Sequence, residues 1–169
     1  MRKTVGSLAM VAIAAGSMTV LSAPAHAAAP AKKDPYAHTR LERVWAPGKC
    51  LSMGGSKKNN ARLVLGKCAK SDKTQRWTLK RLSKNSSVFT IKNDKSGKCL
   101  AVGAKSRLVQ YTCTSAKKNH QWALGGSKLY SKANGKVIAS NSTKAGSYPY
   151  LEKSGASDKA RVRQEWGLS

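Results

Sequence analysis

Three tryptophans set at an almost constant interval constrain this chain more than any other feature. Trp77, Trp122 and Trp166 close the motifs Gln75-Arg76-Trp77, His120-Gln121-Trp122 and Gln164-Glu165-Trp166, and the steps between them are 45 and 44 residues (122−77 and 166−122). A leucine follows each motif two positions on, as Leu79, Leu124 and Leu168. Upstream of each, a Gly-Lys turn opens an apolar stretch: Gly48-Lys49-Cys50-Leu51, Gly97-Lys98-Cys99-Leu100 and Gly135-Lys136-Val137-Ile138. Self-similarity at this period marks copies of one supersecondary unit, none of which can bury its apolar face alone. Three units must therefore share a core.

Within a unit the local signals are strands. Arg62-Leu63-Val64-Leu65, Ser87-Val88-Phe89-Thr90-Ile91 and Arg107-Leu108-Val109-Gln110-Tyr111 are short, β-branched or aromatic, and bounded by turn formers. Lys128-Leu129-Tyr130-Ser131 and Lys136-Val137-Ile138-Ala139 read the same way. No window sustains a 3.6-residue apolar period with caps, so the expectation is an all-β chain. About four strands per unit make about twelve in all, and closing the units into a barrel pairs the edge strands with one another.

The N-terminal residues stand apart. Arg2 and Lys3 precede an apolar run from Val5 to Leu21, and small residues then lead to Ala25-His26-Ala27. This layout predicts a signal peptide over 1–27, cleaved after Ala27. Gly6, Ser7, Gly16, Ser17 and Thr19 interrupt the run, which argues against a membrane anchor. Residues 28–42, with Pro30, Pro35 and no apolar periodicity, bury too little to offset their ordering entropy and are expected to form a flexible arm. Asp34 and His38 would lie in that arm with nothing to hold them. The folded domain is expected over 43–169, with lobes of about 43–80, 81–125 and 126–169.

The four cysteines are an even number, as in an oxidising, extracellular destination. Cys50 and Cys68 fall in the first unit and Cys99 and Cys113 in the second, so the repeat selects the pairs Cys50–Cys68 and Cys99–Cys113. Each bridge would stabilise by about 3 kcal/mol through loop closure. Val137 stands where the third unit would have its first cysteine. The spacing is far from C-x-x-C and no histidine cluster accompanies it, which argues against zinc.

Gly-Lys-Cys-Leu, a Leu-x-Leu-x-x-Cys-type strand and Gln-x-Trp seven residues past the second cysteine together resemble the ricin B-type lectin repeat. The resemblance spans roughly Arg43 to Ser169. It implies a β-trefoil in which Gln75, Trp77, Trp122, Gln164 and Trp166 build the shared core. It also implies a shallow sugar pocket on each lobe. That pocket uses an aspartate two residues after the first cysteine, an aromatic two before the second, and an asparagine just before Gln-x-Trp. Here the aspartate positions are Ser52, Ala101 and Ala139. The aromatic positions are Gly66, Tyr111 and, in the third lobe, a site near Tyr150-Leu151. The asparagine positions are Thr74, Asn119 and Arg163. Only the second lobe approaches the full set, so Tyr111, Asn119 and His120 are the carbohydrate-binding candidates. A missing charge-assisted acceptor weakens binding by roughly 1.5–3 kcal/mol, which disfavours neutral galactose-type sugars.

Positive charge replaces the carboxylates. The formal net charge is +25, and losing Arg2 and Lys3 would leave +23 (25−2). Solubility of a small domain needs only about 2–8 charges, and a surplus of one sign attracts polyanions. Lys57, Lys58, Lys117 and Lys118 are the anion-binding candidates. Nucleic acid would bind non-specifically, because a single phenylalanine and core-committed tryptophans leave few aromatics to stack bases. No carboxylate pair, metal triad or nucleophile with its base can be assembled. The expectation is a secreted carbohydrate-binding module that is not an enzyme and needs no metal or cofactor. Its partner would be a glycan or an anionic cell-surface polymer. Two alternatives stand beside it. One is a general polyanion or nucleic-acid binder. The other is a protein-interaction trefoil, either a hydrolase inhibitor or a toxin targeting subunit, acting through the insertion between Lys153 and Arg163.

Overall fold

The computed structural model describes residues 34–169; the expected signal peptide and residues 28–33 of the expected arm lie outside them. Thirteen strands follow, against about twelve expected: β1 (Thr39–Arg43), β2 (Lys49–Ser52), β3 (Ala61–Arg62), β4 (Val64–Lys67), β5 (Arg76–Arg81), β6 (Val88–Asn93), β7 (Cys99–Val102), β8 (Leu108–Tyr111), β9 (Trp122–Gly125), β10 (Lys128–Ser131), β11 (Val137–Ala139), β12 (Tyr150–Glu152) and β13 (Trp166–Leu168). One helix, α1 (Asp158–Gln164), precedes β13.

β1 pairs with both β13 and β5, β5 with β6, β6 with β9 and β9 with β10, all antiparallel. The ring closes where the Trp166 N–H donates to the Ser127 carbonyl at 2.7 Å. Each unit adds a hairpin, β2–β4, β7–β8 or β11–β12. The hairpins are tied to one another: β3 pairs β8, Arg107 bridges Tyr150, and the Leu65 N–H donates to the Ser147 carbonyl at 2.8 Å. This is the β-trefoil that the resemblance to the ricin B-type repeat implied.

The repeated motif recurs as repeated geometry. The Nε1–H groups of Trp77, Trp122 and Trp166 donate to the carbonyls of Leu51, Leu100 and Ile138 at 3.0, 3.0 and 3.1 Å. The rings themselves are buried in one core with Leu41, Leu51, Leu65, Ile91, Leu100 and Leu129. A buried indole thus satisfies its donor and contributes its whole apolar area. The Gly-Lys turns repeat as well. Gly48, Gly97 and Gly135 hold φ of +79°, +68° and +69°, a left-handed conformation that glycine adopts without strain. Both expected disulfides are present, Cys50–Cys68 and Cys99–Cys113, with Cα separations of 5.1 and 4.9 Å.

One expectation needs correction. The arm assigned to 28–42 is structured from Asp34 onward. Thr39, Leu41 and Arg43 alternate into the interior, and β1 is the barrel strand that contacts β13, β5 and β2. Tyr36 packs against the core, its ring centroid 5.2 Å from that of Phe89. Asp34 and His38 are held too: the Asp34 carboxylate accepts the Tyr36 N–H at 2.9 Å, and His38 Nδ1 lies 2.7 Å from Asp94 Oδ2. The all-β fold also carries one short helix, α1. It is capped by Ser157, whose side chain accepts the Ala160 N–H, and it buries Ala160 and Gln164. It takes the place of the 3-10 turns Lys73–Gln75 and Lys118–His120 that precede the motif tryptophan in the other lobes. The insertion proposed as a partner-binding loop is largely this helix.

Candidate functional site

Strand register establishes which residues are equivalent across the lobes. Cys50 pairs with Gly66, Cys99 with Tyr111, and Val137 with Glu152. The aromatic position of the third lobe is therefore occupied by Glu152. Tyr150 and Leu151, near which the sequence placed it, pair with Ala139 and Ile138; Val64 likewise pairs with Ser52 and Val109 with Ala101.

In the first and third lobes the pocket residues are engaged with one another. Ser52 Oγ and Thr74 Oγ1 hydrogen-bond at 2.9 Å. Gly66 supplies no ring, and a Cβ there would approach Gln75 Nε2 to 2.9 Å, so the side chain of the core motif occupies that space. In the third lobe Arg163 Nε donates to Glu152 Oε1 at 3.2 Å, and Gln164 Nε2 donates to the same oxygen at 2.7 Å. The hydrogen bond that Arg163 donates to Glu152 raises the pKa of Arg163 above its ordinary value. Arg163 Nη2 also donates to Oε2 at 3.5 Å, so both oxygens of Glu152 are tied to its own chain and its charge is paired.

The second lobe differs. Tyr111 is half-buried on β8, and Asn119 Nδ2 donates to the Val102 carbonyl at 3.1 Å. That bond fixes the amide, while neither Asn119 Oδ1 nor the Tyr111 hydroxyl has a hydrogen bond among the described residues. Behind them His120 is 3% exposed, its ring centroid 6.1 Å from that of Tyr111. In the first lobe the corresponding Gln75 donates to the Lys67 carbonyl and accepts from the Ala69 N–H, at 2.8 and 2.9 Å. Gln164 does the same with the Lys153 carbonyl and the Gly155 N–H. His120 makes no such bridge, and its Nδ1 is buried without a partner among the described residues. Burial lowers the His120 pKa from its ordinary value, and the neighbouring Lys117 charge lowers it further.

The fold also gathers charge here. Lys57 and Lys58 belong to the first unit, yet their segment is tied to β8: the Asn60 N–H donates to the Gln110 carbonyl at 2.8 Å, and Asn59 Oδ1 accepts the Thr112 N–H at 2.9 Å. Lys117 and Lys118 directly precede Asn119, and all four lysines are exposed. Sequence reasoning did not single out Lys98, whose Nζ donates to Thr112 Oγ1 at 3.4 Å, or Asn59. A separate basic cleft of about 530 Å³ is lined by His38, Arg40, Lys70, Arg76 and Ser169. Glu42 approaches Cys50 and Cys68 closely enough to suggest a metal site, but both sulfurs are committed to their disulfide.

A closed strand ring, three hairpins and one buried Trp per unit define a β-trefoil with three pseudo-equivalent surface sites. The family model of the ricin-type β-trefoil lectin domain matches residues 37–166, and the chain belongs to that family. The designed three-fold symmetric protein ThreeFoil superposes with a TM-score of 0.67 at 23% identity, over 80% of this chain and 98% of that one. The cytolethal distending toxin of Actinobacillus actinomycetemcomitans superposes at 0.65 and 18% identity, over 80% and 92% of the respective chains. The C-half of an earthworm R-type lectin, solved in complex with GalNAc, superposes at 0.59 and 12%, over 78% and 97%. No curated protein sequence matches this one. Among the described residues no helix is long and apolar enough to cross a membrane.

Proposed function

We propose that this chain is an exported, non-enzymatic carbohydrate-binding module that uses its second lobe and prefers anionic glycans. One observation carries the reading. Of the three equivalent sites, only the second leaves a half-exposed tyrosine and a side-chain amide oxygen without partners among the described residues, whereas the others are engaged internally at Ser52–Thr74 and Arg163–Glu152. Tyr111 would stack on the apolar face of a sugar ring, and Asn119 Oδ1 would accept a hydroxyl. His120, being buried, would support the Tyr111 ring and not contact ligand. Ala101 stands where the family has its carboxylate, so the sugar loses an anionic acceptor. The surrounding Lys57, Lys58, Lys117 and Lys118 favour a negatively charged glycan or cell-surface polymer. The family membership and the two disulfides support a lectin working in an oxidising compartment.

The test is glycan affinity in Tyr111→Ala and Asn119→Ala variants whose thermal unfolding matches the parent. Weakening by about tenfold in each is expected from the loss of a stacked ring or an oriented acceptor. Undiminished binding by the double variant would refute the second-lobe site. The basic cleft at His38, Arg40, Lys70 and Arg76 favours a second reading, general polyanion or non-specific nucleic-acid binding, in which affinity falls steeply with salt.

A further inference from the structure

Trp45 lies outside the three repeated motifs. It is 50% exposed, while Trp77, Trp122 and Trp166 are 3% exposed or less. It sits on a cleft of about 330 Å³ between the β1–β2 turn, the segment after β11 and helix α1. That volume lies at the lower end of the range for small-molecule sites. The cleft shares only Arg163 with the family positions of the third lobe; Ala139 and Glu152 do not line it.

The wall beside Trp45 is formed by Arg43, which is 3% exposed. Its Nη1 and Nη2 donate to the carbonyls of Ser142 and Val162 at 3.2 and 2.6 Å, and its Nε is buried with no partner among the described residues. None of the ion pairs among the described residues includes Arg43. A buried guanidinium without an anion is costly, and Arg43 lines the cleft. Lys159, exposed on α1, adds a second cation without an ion-pair partner among the described residues. Asn141 and Thr143, also exposed, add donors and acceptors on the facing segment. The indole is oriented by donation from Nε1 to Glu165 Oε2 at 2.8 Å.

From these groups we infer that the Trp45 cleft is a second binding site, for a sugar unit bearing a carboxylate, such as a uronic acid residue of an acidic polysaccharide. The indole stacks on the ring, Asn141 and Thr143 meet its hydroxyls, and Arg43 with Lys159 receives the carboxylate. This combination fits an acidic sugar better than a bare oxyanion, which would make no use of the indole surface left exposed beside Arg161, whose guanidinium lies 5.7 Å from the ring centroid.

The test uses the folded protein with trigalacturonate, its methyl ester and inorganic phosphate as probes, at about 0.3 M salt to screen surface lysines. Trp45 is read by the indole N–H cross-peaks in NMR, since the other three indoles donate to core carbonyls and serve as internal references. The acid is expected to shift the Trp45 cross-peak, and the ester, which lacks only the charge, to bind at least about tenfold more weakly. Trp45→Ala and Lys159→Ala, both at exposed positions, are expected to weaken calorimetric binding at this site by about fivefold or more with unchanged melting. Equal shifts by acid and ester, full displacement by equimolar phosphate, or parental affinity in Trp45→Ala would each overturn the inference. The site is independent of the second lobe: Tyr111→Ala is expected to leave the Trp45 response intact, and loss of that response there would also overturn it.

Discussion

His120 shows how one substitution in a repeated motif changes the chemistry of a lobe. Gln75 and Gln164 each bridge a carbonyl and an N–H, but the buried imidazole does not, and its pKa falls below the ordinary value of 6.5 through burial and the nearby Lys117 charge. A group with a depressed folded-state pKa takes up its proton more readily when unfolded. The stability it confers at neutral pH is therefore lost as pH falls from about 6.5 through the folded-state pKa. His120→Gln should remove this component and restore the bridge. Its melting temperature should exceed that of the parent increasingly as pH is lowered from 7 to 5, by on the order of 1 kcal/mol in stability. Parallel pH profiles for the two proteins would contradict this account. The tryptophans separate by role at the same scale. Trp77→Ala or Trp122→Ala should cost roughly 3–5 kcal/mol in denaturant unfolding, since each removes a fully buried indole with a satisfied donor. Trp45→Ala, at a half-exposed ring, should cost far less.

At the scale of elements, α1 is a seven-residue helix whose one buried contact row is too short to produce a readable period. The sequence Ser157-Asp158-Lys159-Ala160 does carry the cap: Ser157 Oγ accepts the Ala160 N–H at 3.3 Å, and Asp158 stands in the first turn. Ser157→Ala should cost about 1 kcal/mol, read as a lowered denaturation midpoint with unchanged slope. No loss would mean that tertiary contacts alone hold the helix. β1 escaped the sequence for a different reason. Its buried face is Thr39, Leu41 and Arg43, two of them polar, so the period-two alternation is real but invisible to hydropathy. The third hairpin was unreadable in register because it has no cysteines to anchor the alignment. Strand pairing sets Val137 opposite Glu152, one residue past the Tyr150-Leu151 pair to which the sequence pointed. By contrast, Trp77, Trp122, Trp166 and both disulfides were legible, because their spacing encodes the three-fold repeat directly.

At the scale of the whole molecule, the fold joins what the sequence separates. Lys57 and Lys58 come from the first unit and Lys117 and Lys118 from the second, and the pairing of β3 with β8 places the two segments on the same lobe. Pairwise reading along the chain could not foresee this, because it depends on a contact between units. Residues 34–169 carry a formal net charge of +21 (25−4, without Arg2, Lys3, Lys32 and Lys33), which concentrates self-repulsion on a small domain. Added salt should therefore stabilise the fold while it weakens any binding that rests on lysines alone. Thermal unfolding across a salt series checks the first part, and a melting temperature that falls with moderate sodium chloride would argue against repulsion as a significant term.

The most direct test of the central claim, that this trefoil binds glycans through its second lobe, is binding to a glycan array containing neutral and acidic saccharides, at low and near-molar salt. The parent protein should retain a defined acidic glycan at high salt, with Tyr111→Ala losing it. Binding to every polyanion that disappears with salt, equally in parent and variant, would mean that the lysines act alone and that the second-lobe pocket has no role.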